Sequence, residues 1–367
     1  MKGQWIGNYV GSNNGSITVE LDEQPDRYVG WAYLYDSAAG YPSASAPIVT
    51  PNKNTTQEFE VSVGPIDSNS TTSSWAGFKE KYPSFRFPTN AKVKVKIENQ
   101  LLNLEWTTDI GTFGSANLPR PRSGEPSALV PLKIAAWAQF KEFVSTLPSR
   151  KFVFRGQEKG SAWSLRTYFH RTGRADLKRL IYIDIPELHR ATIHVTSHNF
   201  KLSDPDELGA FYALVQHHGY PTPLLDWSYS PFVAAYFAFS TLDKQKIDPQ
   251  GSCRIFVFDK QQWEGDVLQQ VQLAGMEPHF SFISPLPLGN PRMSQQQALV
   301  TLTNVDDIES YIRNREQEKH KTYLQAIDLP MASRAEVMKD LEMMGITAAS
   351  MFPGIDGACQ YQKERLF

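Results

Sequence analysis

The spacing of apolar residues changes character near residue 115, and that change limits what the chain can fold into. Before it, apolar side chains recur at every second position. Ile17, Val19 and Leu21 alternate with polar neighbours, as do Phe59, Val61 and Val63, and again Val93, Val95 and Ile97. A period of two places each set on one face of a half-buried strand. Glu98-Asn99-Gln100 then separates the last set from Leu102, Leu104 and Trp106, which predicts a hairpin. Gly, Asn, Ser and Pro clusters punctuate the segments, and no long helical period appears. Residues 1–113 are therefore expected to form an all-β domain, an antiparallel sandwich or a small barrel. Lys92, Lys94 and Lys96 fall on its solvated outer face.

Residues 114–131 carry Pro119, Pro121 and Pro126 among Ser, Gly and Arg, a linker composition. From residue 132 to 367 the pattern mixes helices and strands. Ile134, Trp137, Phe140, Val144 and Leu147 form one helical stripe, stopped by Pro148. Phe152-Val153-Phe154 reads as a short buried strand, Arg254 to Phe258 as another, and Tyr323 to Leu329 as a third. Asp204-Pro205 with Glu207, and Ser333 with Glu336, predict capping boxes at two helix starts. Gly219 and Gly345 suit left-handed helix exits. Strands and helices do not alternate regularly, so the second part is expected to be α+β.

A formal net charge of −2 over 367 residues supplies no global field for nucleic acid or anionic membranes. Two cysteines, Cys253 and Cys359, cannot make a disulfide framework. The start lacks a signal-peptide core, and no apolar run is long enough to cross a bilayer. The expected location is cytoplasmic, with no membrane partner.

Two places could carry chemistry. Phe154-Arg155-Gly156-Gln157 sets a guanidinium where an apolar strand ends. Arginine's planar fork can grip a diphosphate or carboxylate at two points, and glycine lets a backbone or ligand come close. The plainer role for Arg155 is to satisfy carbonyls at the strand end. The second place is Gln216-His217-His218-Gly219-Tyr220-Pro221-Thr222-Pro223-Leu224-Leu225-Asp226-Trp227-Ser228, which runs into Ser230-Pro231. It reads as a helix end, a stiff turn, a strand and a new helix start. Ser228 and Ser230 lie where backbone N–H groups are free to meet an anion, and Ser230 also suits a helix cap. Asp226 in an apolar strand must be paired, hydrogen-bonded or protonated.

These segments resemble the FRG domain, named for its Phe-Arg-Gly signature. FRGQ followed by Trp163-x-Leu165 resembles the domain's opening, and residues 216–228 follow its central block almost position by position. Asn290-Pro291-Arg292 with Gln296, and Leu341-x-x-x-Gly345-Ile346 leading to Met351-Phe352-Pro353-Gly354-Ile355-Asp356-Gly357, resemble its later elements. The FRG layout in turn resembles ADP-ribosyltransferases. That resemblance implies NAD as substrate, with Arg155, Gly156, Gln157, His218, Thr222, Ser228 and Ser230 as nucleotide contacts. Gln296 and Asp226 would act at the ribose. Where those enzymes place a late Glu, Ser294 to Val300 offers only amides. The implied activity is an NAD-consuming ADP-ribosyltransferase or glycohydrolase acting on an unidentified macromolecular acceptor, as in a bacterial toxin or phage-defence effector. The N-terminal domain would bind a target or trigger. The alternative is a non-catalytic nucleotide-binding or protein-interaction module.

Overall fold

The structure, a computed structural model, describes residues 1–38, 41–66 and 75–366. Strands β1 (Gly3–Gly11), β2 (Gly15–Glu23), β3 (Tyr28–Asp36), β4 (Ser43–Val49), β5 (Thr56–Ser62), β6 (Gly64–Ile66), β7 (Asn90–Glu98), β8 (Leu101–Thr108) and β9 (Phe113–Pro119) form one antiparallel sheet. Its order is β5-β7-β8-β9-β1-β2-β3-β4-β6, and β4 returns alongside β5, so the sheet curls into a nearly closed barrel. The period-two residues Ile17, Val19, Leu21, Val93, Val95, Leu102 and Leu104 all point into its core. Asn99 and Gln100, both with positive φ, make the two-residue β7–β8 turn. Lys92, Lys94 and Lys96 lie outside; Lys92 pairs with Glu58 and Lys96 with Glu98.

Strand β9 takes up the first part of the segment read as linker. It pairs with β1 and β8, so the barrel ends at Pro119 rather than at residue 113. Its alternation of small residues, Gly114, Ser115 and Ala116, resembles linker composition more than strand. Gly114 sits under Trp106: a Cβ there would lie 2.3 Å from the indole.

The second sheet is also wholly antiparallel. It comprises β10 (Phe152–Gln157), β11 (Leu224–Ser228), β12 (Ser252–Asp259), β13 (Phe280–Ile283), β14 (Ala298–Thr303) and β15 (Leu324–Pro330), in the order β13-β14-β11-β10-β12-β15. Helices α1 (Trp137–Ser145), α2 (Pro205–His217), α3 (Pro231–Phe239), α4 (Ile308–Lys319) and α5 (Arg334–Met343) pack around it. The whole is α+β. The stripe Trp137–Phe140 is buried as its spacing predicts. The two capping boxes are not formed. Asp204 caps α2, but the Glu207 carboxylate turns instead to Lys201 N and His198. A 3-10 turn over Met331–Ser333 leads straight into α5, and Ser333 makes no side-chain cap. No helix among the described residues is long and apolar enough to cross a membrane.

Barrel and module meet on a polar seam. Strand β2 presents Ile17, Val19 and Leu21 to the barrel core and Thr18, Glu20 and Asp22 to the module, so both its faces are buried. Asp22 accepts from the N–H groups of Ala175 (2.6 Å) and Asp176 (3.1 Å) and from Arg174 Nε (3.0 Å). Gln4 donates to the carbonyl of Asn304 and accepts from Asp306 N (2.8 Å). The Lys178 ammonium sits 3.3 Å from the centre of the Trp31 ring.

Candidate functional site

The site is built on an incomplete pairing in the second sheet. Strand β10 pairs with β12 along its whole length, from Phe152–Asp259 to Gln157–Arg254. On its other side it meets β11 at a single pair, Phe154–Ser228. Beyond that pair the strands splay, and Arg155 occupies the split, donating from Nη1 to the main-chain carbonyl of Asp226 at 2.8 Å. Half-buried, the guanidinium is pushed down to about 10, first by loss of water, with Asp226 opposing and Arg171 adding. It therefore stays cationic at neutral pH. This single bond is the carbonyl-satisfying role expected of a strand-end arginine. Among the described residues no protein acceptor takes the remainder of its fork.

Asp226 is half-buried. Its Oδ1 accepts from Gln216 Nε2 at 2.7 Å, and the same amide accepts the Thr222 hydroxyl's hydrogen bond through its oxygen. Thr222 is fully buried, and its carbonyl takes Phe169 N (3.1 Å). The central block is thus a tie between a helix end and the strand that follows: Gln216 at the foot of α2, a left-handed Gly219 (φ 86°), a proline-stiffened turn, then β11. The requirement that Asp226 be hydrogen-bonded is met by Gln216.

Ser228 and Ser230 lie one turn further on. The Ser228 hydroxyl donates to the carbonyl of Gln296 (2.7 Å) and accepts from Ser230 N (3.0 Å); Ser230 caps α3 by accepting from Val233 N (3.3 Å). Gln296, buried, donates from Nε2 to the Met351 carbonyl at 3.0 Å, which fastens the Met351–Gly357 segment to the sheet. Gly156 meets a helix: a Cβ there would lie 1.9 Å from the Ala234 carbonyl oxygen. Gln157 donates to the carbonyls of Gly160 (2.7 Å) and Trp163 (2.8 Å), shaping the following loop. His218 closes α2 and is exposed. Arg155, Asp226, Ser228, Ser230 and Gln296 therefore share one neighbourhood through β10, β11 and β14, while Gln157 and His218 serve local turns.

One further cation lies near the split: Arg171, within the basic stretch from Arg166 to Arg179. Arg171 is close enough to act electrostatically on both Arg155 and Asp226, and its guanidinium stacks 5.2 Å from the exposed Tyr168 ring. Sequence does not separate it from its neighbours Arg166 and Arg174, which are spent on Asp306, Asp22 and Asp184.

The family model for the FRG domain matches residues 150–247, which span β10, the central block and α3. The chain carries an FRG domain, as the residues at 154–157 and 216–228 indicate. Comparison with curated proteins found no match.

Proposed function

We propose that the FRG module binds NAD or a closely related nucleotide across the β10–β11 split and breaks the nicotinamide–ribose bond, as an ADP-ribosyltransferase or glycohydrolase. The observation that carries this reading is Arg155: a cation held in a split sheet with one N–H committed to protein and, among the described residues, the rest of its fork uncommitted. A diphosphate would take those donors, with Arg171 as a second positive charge. Asp226, half-buried beside Arg155, is the carboxylate suited to stabilise positive charge growing on the ribose as neutral nicotinamide leaves. Water or an acceptor nucleophile then takes the ribosyl carbon and loses its proton.

A second reading, ligand binding without bond breaking, draws on a specific feature. The Gln296 amide N–H and the Ser228 and Ser230 hydroxyls already hold internal bonds. The pair of readings separates in one set of measurements: NAD binding by calorimetry and nicotinamide release, with and without cell extract as acceptor source. Arg155→Ala is expected to weaken binding about 10- to 100-fold, since a charge-assisted hydrogen bond contributes roughly 1.5–3 kcal/mol; Arg155→Lys should not restore it. Asp226→Asn should lower turnover about 100-fold while leaving NAD affinity within a few-fold. Binding without release under every condition favours the second reading. Absence of NAD binding by folded protein removes both for this nucleotide.

A further inference from the structure

Side chains fill protein interiors almost completely, and voids larger than a water molecule are few. The barrel departs from this. Its interior holds an open cavity of about 550 Å³. The cause is legible strand by strand. Strands β5 and β6, separated only by Val63, form one wall that pairs with β7 and then with β4, so the barrel has eight strand positions, a size that side chains can just fill or that holds one small ligand. Small residues leave room inside: Ala32 on β3 pairs directly with Ala46 on β4, and Ala44 and Ala91 also line the cavity. The volume falls within the range of small-molecule sites, about 300–1,000 Å³.

The wall chemistry is graded along the barrel. Its middle is aliphatic, with Ile17, Val19, Leu21, Val61, Val93 and Val95. A mostly aliphatic wall of this kind favours apolar occupants. One end is rimmed by exposed aromatic rings, Tyr41, Phe85 and Phe113, with Tyr41 and Phe85 edge to face at 5.1 Å. The charged side chains among the lining residues are Asp36 and Arg86, both at this end. Asp36 accepts from Ala38 N at 2.8 Å. Arg86 is exposed and forms no ion pair among the described residues.

We propose that the barrel is a binding site for a single-chain amphiphile with an anionic head, of the class of medium- to long-chain carboxylates. The acyl chain lies along the aliphatic wall past the Ala32–Ala46 pair, and the carboxylate meets Arg86 at the aromatic rim. The site is separate from the β10–β11 split: no residue of the Arg155–Ser230 cluster lines it.

The test is calorimetric titration of the full chain with dodecanoate, dodecanol and dodecylammonium below their micellar concentrations. Dodecanoate is expected to bind, dodecanol more weakly by at least threefold, and dodecylammonium least. Ala46→Trp, which fills the cavity, should lower dodecanoate affinity at least tenfold while the unfolding temperature holds or rises. If that variant does not fold, Val61→Phe serves the same purpose from the neighbouring strand β5. Arg86→Ala should bring dodecanoate down to the affinity of dodecanol and leave dodecanol unchanged. Failure of wild-type protein to bind dodecanoate overturns the proposal, as does a folded filled variant that binds as well as wild type. Equal affinity for dodecanoate and dodecanol overturns the anionic head.

Discussion

At the scale of single residues, the FRG signature divides its labour. Arg155 faces the split, whereas Gly156 faces helix α3, whose Ala234 carbonyl oxygen and Ala238 N would stand 1.9 and 2.8 Å from any Cβ. Neither contact can yield, because both belong to helix backbone. Gly156→Ala is expected to destabilise the protein by about 1–3 kcal/mol through overpacking, a fall of several degrees in unfolding temperature at about 2–4 °C per kcal/mol. Nucleotide affinity of the folded fraction should be unchanged. A thermal scan with a binding titration checks both. Wild-type stability with lost binding would instead make Gly156 a ligand contact. The sequence reveals the arginine and the glycine together but not which neighbour each meets. Close approach by a helix and close approach by a ligand ask for the same residue. The serines differ: a Ser-Pro step predicts the Ser230 cap outright, and it is present. Arg171 stayed hidden because it and the four other Lys and Arg residues of 166–179 look alike in sequence, and only the positions of Asp22, Asp184 and Asp306 show which are already paired.

At the scale of elements, strand β2 shows what periodicity reports and what it omits. Alternation correctly predicts that Ile17, Val19 and Leu21 share a face, but it implies a wet opposite face. That face is instead buried against the module, with Glu20 only 2% exposed. Gln4 Nε2 donates to one Glu20 oxygen at 3.1 Å; the other accepts no hydrogen bond of good geometry among the described residues. Burial raises this carboxyl well above its ordinary range, and the nearby Asp176 and Asp22 add to the shift. Burial likewise raises Asp176. A raised carboxyl binds a proton in the folded protein that the unfolded chain has released. Stability is then greatest below the ordinary carboxylate range, and it declines as pH rises from there through the folded value. Glu20→Gln keeps the shape and removes the titration. It is expected to raise stability near pH 8 more than near pH 5, and to flatten the pH dependence by up to about 1.4 kcal/mol per pH unit in the titrating window. Denaturant midpoints across pH 5–8 measure this. An unchanged slope would place the Glu20 proton elsewhere. Strand β9 escaped the sequence for the opposite reason: its small residues, selected by the overlying Trp106, carry too little apolar contrast to register as a strand.

At the scale of the whole molecule, β2 is a shared wall: one face lines the barrel cavity and the other the seam to the FRG module. The connection after β9 is also tied down. Arg122 N donates to Asp307 (2.8 Å), the Ser123 hydroxyl to Asp306 (2.8 Å), and Ser127 links Glu309 with the buried Arg254. Covalent linkage is therefore one of two things joining the parts, and the contribution of the seam can be measured by removing the other. The exposed residues Gly124, Glu125 and Pro126 offer a place for an engineered protease site, since β9 protects the residues before Arg120. After cleavage the two fragments are expected to co-elute on gel filtration at micromolar concentration. Asp22 accepts from two backbone N–H groups and a guanidinium, so Asp22→Ala leaves three donors of the module without their acceptor. Such a loss costs about 2–5 kcal/mol, enough to weaken association roughly 30-fold or more, and the cleaved variant should elute as separate fragments. Each fragment is checked for folding by circular dichroism before elution is read. Separation of the cleaved wild-type fragments would show instead that the seam holds only because the chain keeps its two sides together.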